Sequence, residues 1–329
     1  MRHYLHILLA IPAILLLGSL LLAFWATFDC IGGDNQQCSL LQHQFEKLDH
    51  APPVIDLLFL GDSSLGRAVD AQLFARLSGL SGQRVLNLAL TGNFNLPSMR
   101  NLLAHATSSA SIKTVVLMLT PQIYDIPAES QDMPKYQAFP GVLWSARFDW
   151  HLLLQTVAEY RTAFMRAAVH ELFSRKNVAL GVKKIKGMVW GGSGREPHIV
   201  DDYLRPRDKR MTMADLPERF GDASSRYLPS LHAIGNLCRQ WQIQCLYLHG
   251  TVFGKSAENS GDMIEKINEM VNGSGLILVN PAPIPVPFEE IGDSVNHVDP
   301  PFKSKYTVVV YDRLRPYLPV ERQAGRPTE

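Results

Sequence analysis

Three observations predict an α/β fold on a central parallel sheet. From Val54 to Leu119, short apolar runs alternate with amphipathic helical stretches in the order β-α-β-α-β. Those runs are nearly continuous rather than alternating, the pattern of strands covered on both faces. The same alternation resumes after residue 225 and carries on to a last helix, so parallel pairing with helical crossovers is expected. Composition agrees: 46% hydrophobic and 19% charged residues suffice for a real core. Lys+Arg 32 against Asp+Glu 31 leaves a net charge of +1, without the basic excess that nucleic-acid phosphates attract, so nucleic acid is excluded as a partner. No solenoid or propeller period is present.

Segment 1–26 reads as a transmembrane signal anchor. From Ile7 to Ala26 there is no charge over about 20 residues, enough for one helix to cross a bilayer, and Trp25 falls at an interfacial position. A cleaved secretory signal is the alternative, since Arg2 supplies a minimal positive start. Against it, the run exceeds a usual signal core, and Phe24 would stand third before a cut after Ala26. Arg2 on one side and Asp29 and Asp34 on the other keep the N-terminus cytoplasmic, which exports everything after it. Four cysteines fit that compartment. Cys30 and Cys38 bracket a Gly-rich loop, and Cys238 and Cys245 bracket a helix-to-strand turn. Two local disulfides and four buried free thiols are both open, because spacing alone does not fix connectivity. Neither pair has the spacing of a zinc or redox site, and no metal or cofactor is expected.

Residues 27–53 read as a linker, polar from residue 39, with a short helical stretch ending at Pro52-Pro53. The α/β domain spans 54–320. Its first strand is Val54 to Leu60 (VIDLLFL), followed by a helix with Val69, Leu73, Phe74 and Leu77 on one stripe. Arg84 to Ala89 is the second strand, and Leu96, Met99, Leu102, Leu103 and Ala106 mark the next helix. Lys113 to Leu119 is the third strand. Residues 121–225 break the rhythm with a long helix near Trp150 to Ser174 and a Gly-rich, charged stretch. They read as a mostly helical insertion. The pattern then gives a helix at Tyr227 to Trp241, a strand at Ile243 to Leu248, a helix near Met263 to Val271, a strand at Leu276 to Val279, and a helix at Phe302 to Leu318. A loose tail, 321–329, follows.

The chemistry-bearing residues gather at strand ends. LFLGDSSLGRAVD puts Gly61-Asp62-Ser63 on the turn after the first strand, where α/β proteins bind ligands. Ser63 is a nucleophile candidate there. Taken alone, Gly-Asp-Ser also reads as a plain helix cap. NLALTGNFN puts Gly92 on the loop after the second strand, and IGDSVNHVDPPF puts Asp293 and His297 just before the last helix. A serine hydroxyl needs a base to take its proton and an acceptor to orient that base; His297 and Asp293 are of the right types. Elsewhere, GGSG at Gly191 to Gly194 reads as a flexible loop, His249-Gly250 as a strand-end turn, and Asp201-Asp202 lacks metal-ligand company. Trp144, Trp150 and Tyr124 suit either sugar stacking or core packing.

Taken together, GDS at 61–63, the glycine at 92 and the Asp293/His297 block resemble the SGNH (GDSL) hydrolase and O-acyltransferase family. The resemblance covers Val54 to Leu119 and Ile243 to Leu318. It implies a three-layer α/β/α, flavodoxin-like fold, with Ser63 as nucleophile, His297 as base and Asp293 as orienting acid. It also implies an oxyanion hole from the amides of Ser63 and Gly92. Two departures stand out. The third strand runs into LTPQIYD, so the family's oxyanion asparagine is missing, with Gln122 the nearest replacement and Asn93 or Asn95 the others; Asn93 and Asn95 are also substrate-contact candidates. The acid-to-base spacing is one residue longer, with Ser294 where the acid would stand. By this resemblance the chain is expected to be a serine O-acyltransferase of the bacterial inner membrane, its catalytic domain on the periplasmic or extracellular side. It would move acetyl from an acyl donor, such as a membrane-bound donor protein, to a polysaccharide or other hydroxyl acceptor. A carbohydrate or lipid esterase and a non-catalytic envelope scaffold are the alternatives.

Overall fold

The computed structural model describes residues 10, 14, 18, 36–91, 94, 96–125, 141–146, 149–159 and 211–318, side chains of 36–39 aside. The anchor run 7–26, apart from three positions, lies outside them. So do Cys30, the side chain of Cys38, most of the insertion and the tail. Among the described residues no helix is long and apolar enough to cross a membrane. The chain divides into two compact units, Met1–His43 with Glu129–Ile199, and Gln44–Ala128 with Val200–Glu329. The elements are α1 (Gln36–Asp49), β1 (Val54–Gly61), α2 (Ser63–Ala68), α3 (Ala71–Ser78), β2 (Val85–Ala89), α4 (Leu96–Ser109), β3 (Ser111–Leu119) and α5 (Trp150–Glu159). There follow α6 (Leu228–Gln240), β4 (Gln244–His249), β5 (Thr251–Phe253), α7 (Gly254–Glu258), α8 (Gly261–Ser274), β6 (Ile277–Asn280), β7 (Ile284–Val286) and α9 (Lys303–Leu314).

The second unit is an α/β domain on a five-stranded parallel sheet in the order β2-β1-β3-β4-β6. β1 lies inside the sheet, and its Ile55, Leu57, Leu58, Phe59 and Leu60 are all fully buried, each worth about 1.5–3 kcal/mol relative to exposure. Helices α2, α3 and α9 pack together, and α4, α6 and α8 pack together, the arrangement of a three-layer α/β/α fold. From β1 the chain winds outward to β2, then returns to place β3 on the other side of β1. The crevice at that reversal, beyond the strand C-termini, is where such sheets hold ligands. Register brings Gly61 opposite Ala89 and Met118, and Leu119 opposite His249, so these strand ends share one edge.

Strand and helix positions, the helical stretch before Pro52-Pro53 included, follow the sequence pattern to within a few residues, apart from a helix broken in two, the short helix α7 and a small second sheet. The helix expected after β1 is broken into α2 and α3. Val69 is extended, and Asp70 caps α3 by accepting from the amides of Gln72 and Leu73. A β-branched residue beside a strong N-cap favours such a break. The polar stretch read as linker contains α1, whose Gln44 Nε2 donates to the buried Ala89 carbonyl at 2.8 Å and whose Phe45 packs edge-on against His105. Finally, β5 and β7 form a two-stranded parallel sheet that periodicity did not show, since three-residue strands are too short to display one. Cys238 and Cys245 form a disulfide from α6 to β4, with Cα atoms 6.1 Å apart. In the other unit, α5 is the described part of the helix expected near Trp150 to Ser174, with Leu152 N donating to Asp149 Oδ1 at 2.9 Å.

Candidate active site

The turn after β1 is built by backbone constraint. A Cβ on Gly61 would run into the Met118 carbonyl of β3, so only glycine keeps the two strands paired here. Asp62 follows as the N-cap of α2 and is fully buried. Its Oδ1 accepts from Ser64 N at 2.8 Å and Ser64 Oγ at 2.5 Å, and its Oδ2 accepts from Thr120 N at 3.0 Å and Thr120 Oγ1 at 2.8 Å. Capping is therefore done by Asp62, and the Ser63 side chain is left for another partner. The Ser63 N–H has no hydrogen-bond partner among the described residues.

The partner of the Ser63 side chain comes from residues 291–298, a tight loop closed by an antiparallel bridge between Ile291 and Val298. Within it Gly292 N donates to His297 O at 2.8 Å and His297 N to Ser294 O at 3.0 Å. The small β5/β7 sheet holds the loop from outside: Phe253 N donates to Val295 O at 2.8 Å, and the buried Thr251 hydroxyl donates to Asn296 O at 2.9 Å. His297 Nε2 lies 2.7 Å from Ser63 Oγ, and His297 Nδ1 lies 2.8 Å from Asp293 Oδ1. An ionised carboxylate only accepts, so Nδ1 carries the proton and Nε2 is left as acceptor for the Ser63 hydroxyl. The stretched Asp293/His297 spacing is absorbed by the turn from Ser294 to His297, and the acid still reaches the base.

Two cations lie along α2, one of them facing the acid. Arg67, one helical turn after Ser63 on α2 and only 3% exposed, places Nη2 4.0 Å from Asp293 Oδ1. Lys303, at the start of α9, donates to the Gly66 carbonyl of α2 at 2.7 Å. Burial pushes its ammonium down to about 8, with Arg67 and Lys47 adding to the effect and Asp70 opposing it. Ser63 is 9% exposed and the side chains of Asp293 and His297 each 15%, so the group is sheltered yet open to a reactant.

Ser63, His297 and Asp293 are thus joined in one hydrogen-bonded chain. Gln122 sits exposed in the turn Pro121–Tyr124, at the same sheet edge, and its side chain makes no hydrogen bond to that chain among the described residues. Gly92, Asn93 and Asn95 lie outside the described residues, as do Gly191 to Gly194 and Asp201-Asp202. His249 is buried away from the triad, with Nε2 donating to Asn268 Oδ1 at 2.7 Å, and burial pushes its imidazole down to about 4. Tyr124 is fully buried, edge-on to Tyr227, which makes it core and not a sugar platform. Trp144 is buried and Trp150 exposed in the other unit. The sequence reading missed Thr120, Arg67 and Thr251. Only Arg67 left a signal, its i+4 spacing from Ser63, which puts both on one helix face. Neither a protein-family model nor a curated protein matches the chain.

Proposed function

We propose that the chain is an exported, membrane-anchored serine O-acyltransferase that moves an acetyl group to a hydroxyl of a cell-envelope or secreted polysaccharide through a Ser63 acyl-enzyme. The observation that carries this reading is the unbroken Ser63–His297–Asp293 hydrogen-bonded chain at the sheet's switch point. Its strand order and the GDS and Asp/His blocks support assignment to an SGNH, flavodoxin-like fold. The apolar run at 7–26 supports an anchor in the bacterial inner membrane. The Cys238–Cys245 disulfide supports a periplasmic or extracellular setting, where such bonds persist.

In the proposed reaction Ser63 Oγ attacks the acyl carbonyl of the donor as His297 Nε2 takes the hydroxyl proton. Asp293 holds the imidazole in the required tautomer and stabilises the imidazolium. The Ser63 N–H is one donor for the tetrahedral oxyanion, the family resemblance makes the Gly92 amide a second, and Gln122, or else Asn93 or Asn95, takes the place of the family's missing asparagine. One missing donor costs about 2.7–4 kcal/mol of transition-state stabilisation. The donor's leaving group departs with the proton from His297, leaving the serine ester. His297 then deprotonates an acceptor hydroxyl, which attacks the ester and releases Ser63. No cofactor enters the scheme. A membrane tether favours a membrane-bound donor protein as acyl source.

Water in place of the sugar hydroxyl would make the chain an esterase, so the test is the fate of the acyl group. With an activated acetyl ester as donor and a hydroxyl-rich oligosaccharide as acceptor, the reading expects acetyl on the sugar in excess of free acetate. Release of acetate alone, unaffected by the sugar, would assign an esterase. No turnover by the folded chain would assign a scaffold.

A further inference from the structure

We propose that Asp62 and Thr120 form a positioning clamp that sets the aim of Ser63 at His297, a role resting on the acyl-enzyme reading above. An ordinary N-cap bonds one or two amides of its own helix. Asp62 divides its two oxygens between two elements: Oδ1 takes the Ser64 amide and hydroxyl, and Oδ2 takes the amide and hydroxyl of Thr120, across the sheet edge at the end of β3. The carboxylate is fully buried, Thr120 is 1% exposed and Ser64 fully buried, so water does not compete for these bonds. The nucleophile stands between Asp62 and Ser64 in sequence, and its side chain hydrogen-bonds to neither: Ser63 Oγ goes to His297 instead.

A third strand end closes the clamp. A Cβ on Gly250, just after β4, would collide with Ser64 Oγ, and Gly250 N donates to Leu119 O at 2.8 Å. The turns after β1, β3 and β4 are therefore locked to one another beside the carboxylate, while His297 is carried by a different loop, hung on Thr251 and Phe253 of β5. The Ser63-to-His297 distance is set between these two assemblies, and Asp62 fixes the serine side of it. Thr120 lies in the LTP segment where the chain departs from the family pattern, and there it supplies two donors to the clamp.

The test uses the full-length chain with Thr120→Val, which keeps the shape and removes the hydroxyl donor, Thr120→Ser, which restores it, and Asp62→Asn, which turns an amide toward the two Thr120 donors. Two readouts are taken: the rate of Ser63 acetylation by p-nitrophenyl acetate, followed by intact mass, and the Ser63 Oγ to His297 Nε2 separation in crystal structures of the variants. We expect Thr120→Val and Asp62→Asn to slow acetylation about 10- to 100-fold, a cost typical of displacing a reacting group by about 1 Å. Thr120→Ser should recover most of the rate, and the hydrogen bond seen at 2.7 Å should be broken in the slow variants. Thr120→Ser as slow as Thr120→Val, or either slow variant with that hydrogen bond intact, overturns the clamp. A wild-type chain that takes up no acetyl overturns the acyl-enzyme reading instead, and the crystallographic distance still decides the clamp. Should Asp62→Asn fail to fold, the Thr120 pair carries both readouts.

Discussion

At the residue scale, the triad's three members differ in what their loss removes. On the proposed function, Ser63→Ala would delete the nucleophile and His297→Ala the base, and each is expected to lower kcat on the order of 10⁴-fold or more with the thermal unfolding midpoint held. A folded His297→Ala enzyme with substantial activity would remove His297 from the base role. Asp293→Asn keeps the size of the side chain but invites the wrong imidazole tautomer, so a loss of roughly 10³–10⁴-fold is expected, again in kcat. Arg67 faces Asp293 as well: its Nη2 lies 4.0 Å from Asp293 Oδ1, an ion pair beyond hydrogen-bond distance. The triad's residue types were legible in the sequence because a Ser on the turn after the first strand and an Asp/His pair before the last helix are a chemical set before they are a geometric one. Thr120 and Thr251 were not legible. A buried threonine that donates to a carboxylate or a carbonyl looks, in one sequence, like any threonine at a strand end.

At the element scale, the site depends on where strands end. Gly61 lets β1 and β3 pair up to the nucleophile, and Gly61→Ala should destabilise the domain by a few kcal/mol in urea unfolding, because the Met118 carbonyl has to move. An unchanged midpoint would show that the turn yields more easily than the packing implies. Long apolar runs made β1 and β3 plain in the sequence, yet the stripe of apolar residues from Val69 to Leu77 suggested one helix running through Asp70. Capping won there because Asp70 accepts two amides of α3, while Thr307 of α9 accepts the Asp70 N–H at 3.0 Å and Lys303 caps the end of α2. Such tertiary capping is invisible to periodicity. The β5/β7 pair was hidden for a different reason: its strands are defined by each other and by the His297 loop they carry, and not by any pattern within three residues.

At the scale of the whole molecule, stability should respond to pH through a histidine outside the triad. His249 is buried with its imidazole pushed down to about 4, so the folded state takes up its proton less readily than the unfolded chain does. Its contribution is fully present above the unfolded value near 6.5 and is lost as pH falls toward about 4. Unfolding midpoints of the wild type should therefore fall across that window, and His249→Gln should flatten the fall. An equal slope in both proteins would assign the acid sensitivity elsewhere. The parallel sheet was readable from element order and composition, whereas its winding order was implied only by the family resemblance, and the anchor run and the Gly92 loop lie outside the described residues. The central claim is that this fold serves to make a Ser63 ester. It is tested most directly by intact mass of the full-length chain after exposure to an activated acetyl ester, beside Ser63→Ala and His297→Ala. A single acetyl adduct on Ser63, absent from both variants, is the predicted result. A folded wild type without the adduct, or one that Ser63→Ala carries equally, would contradict it.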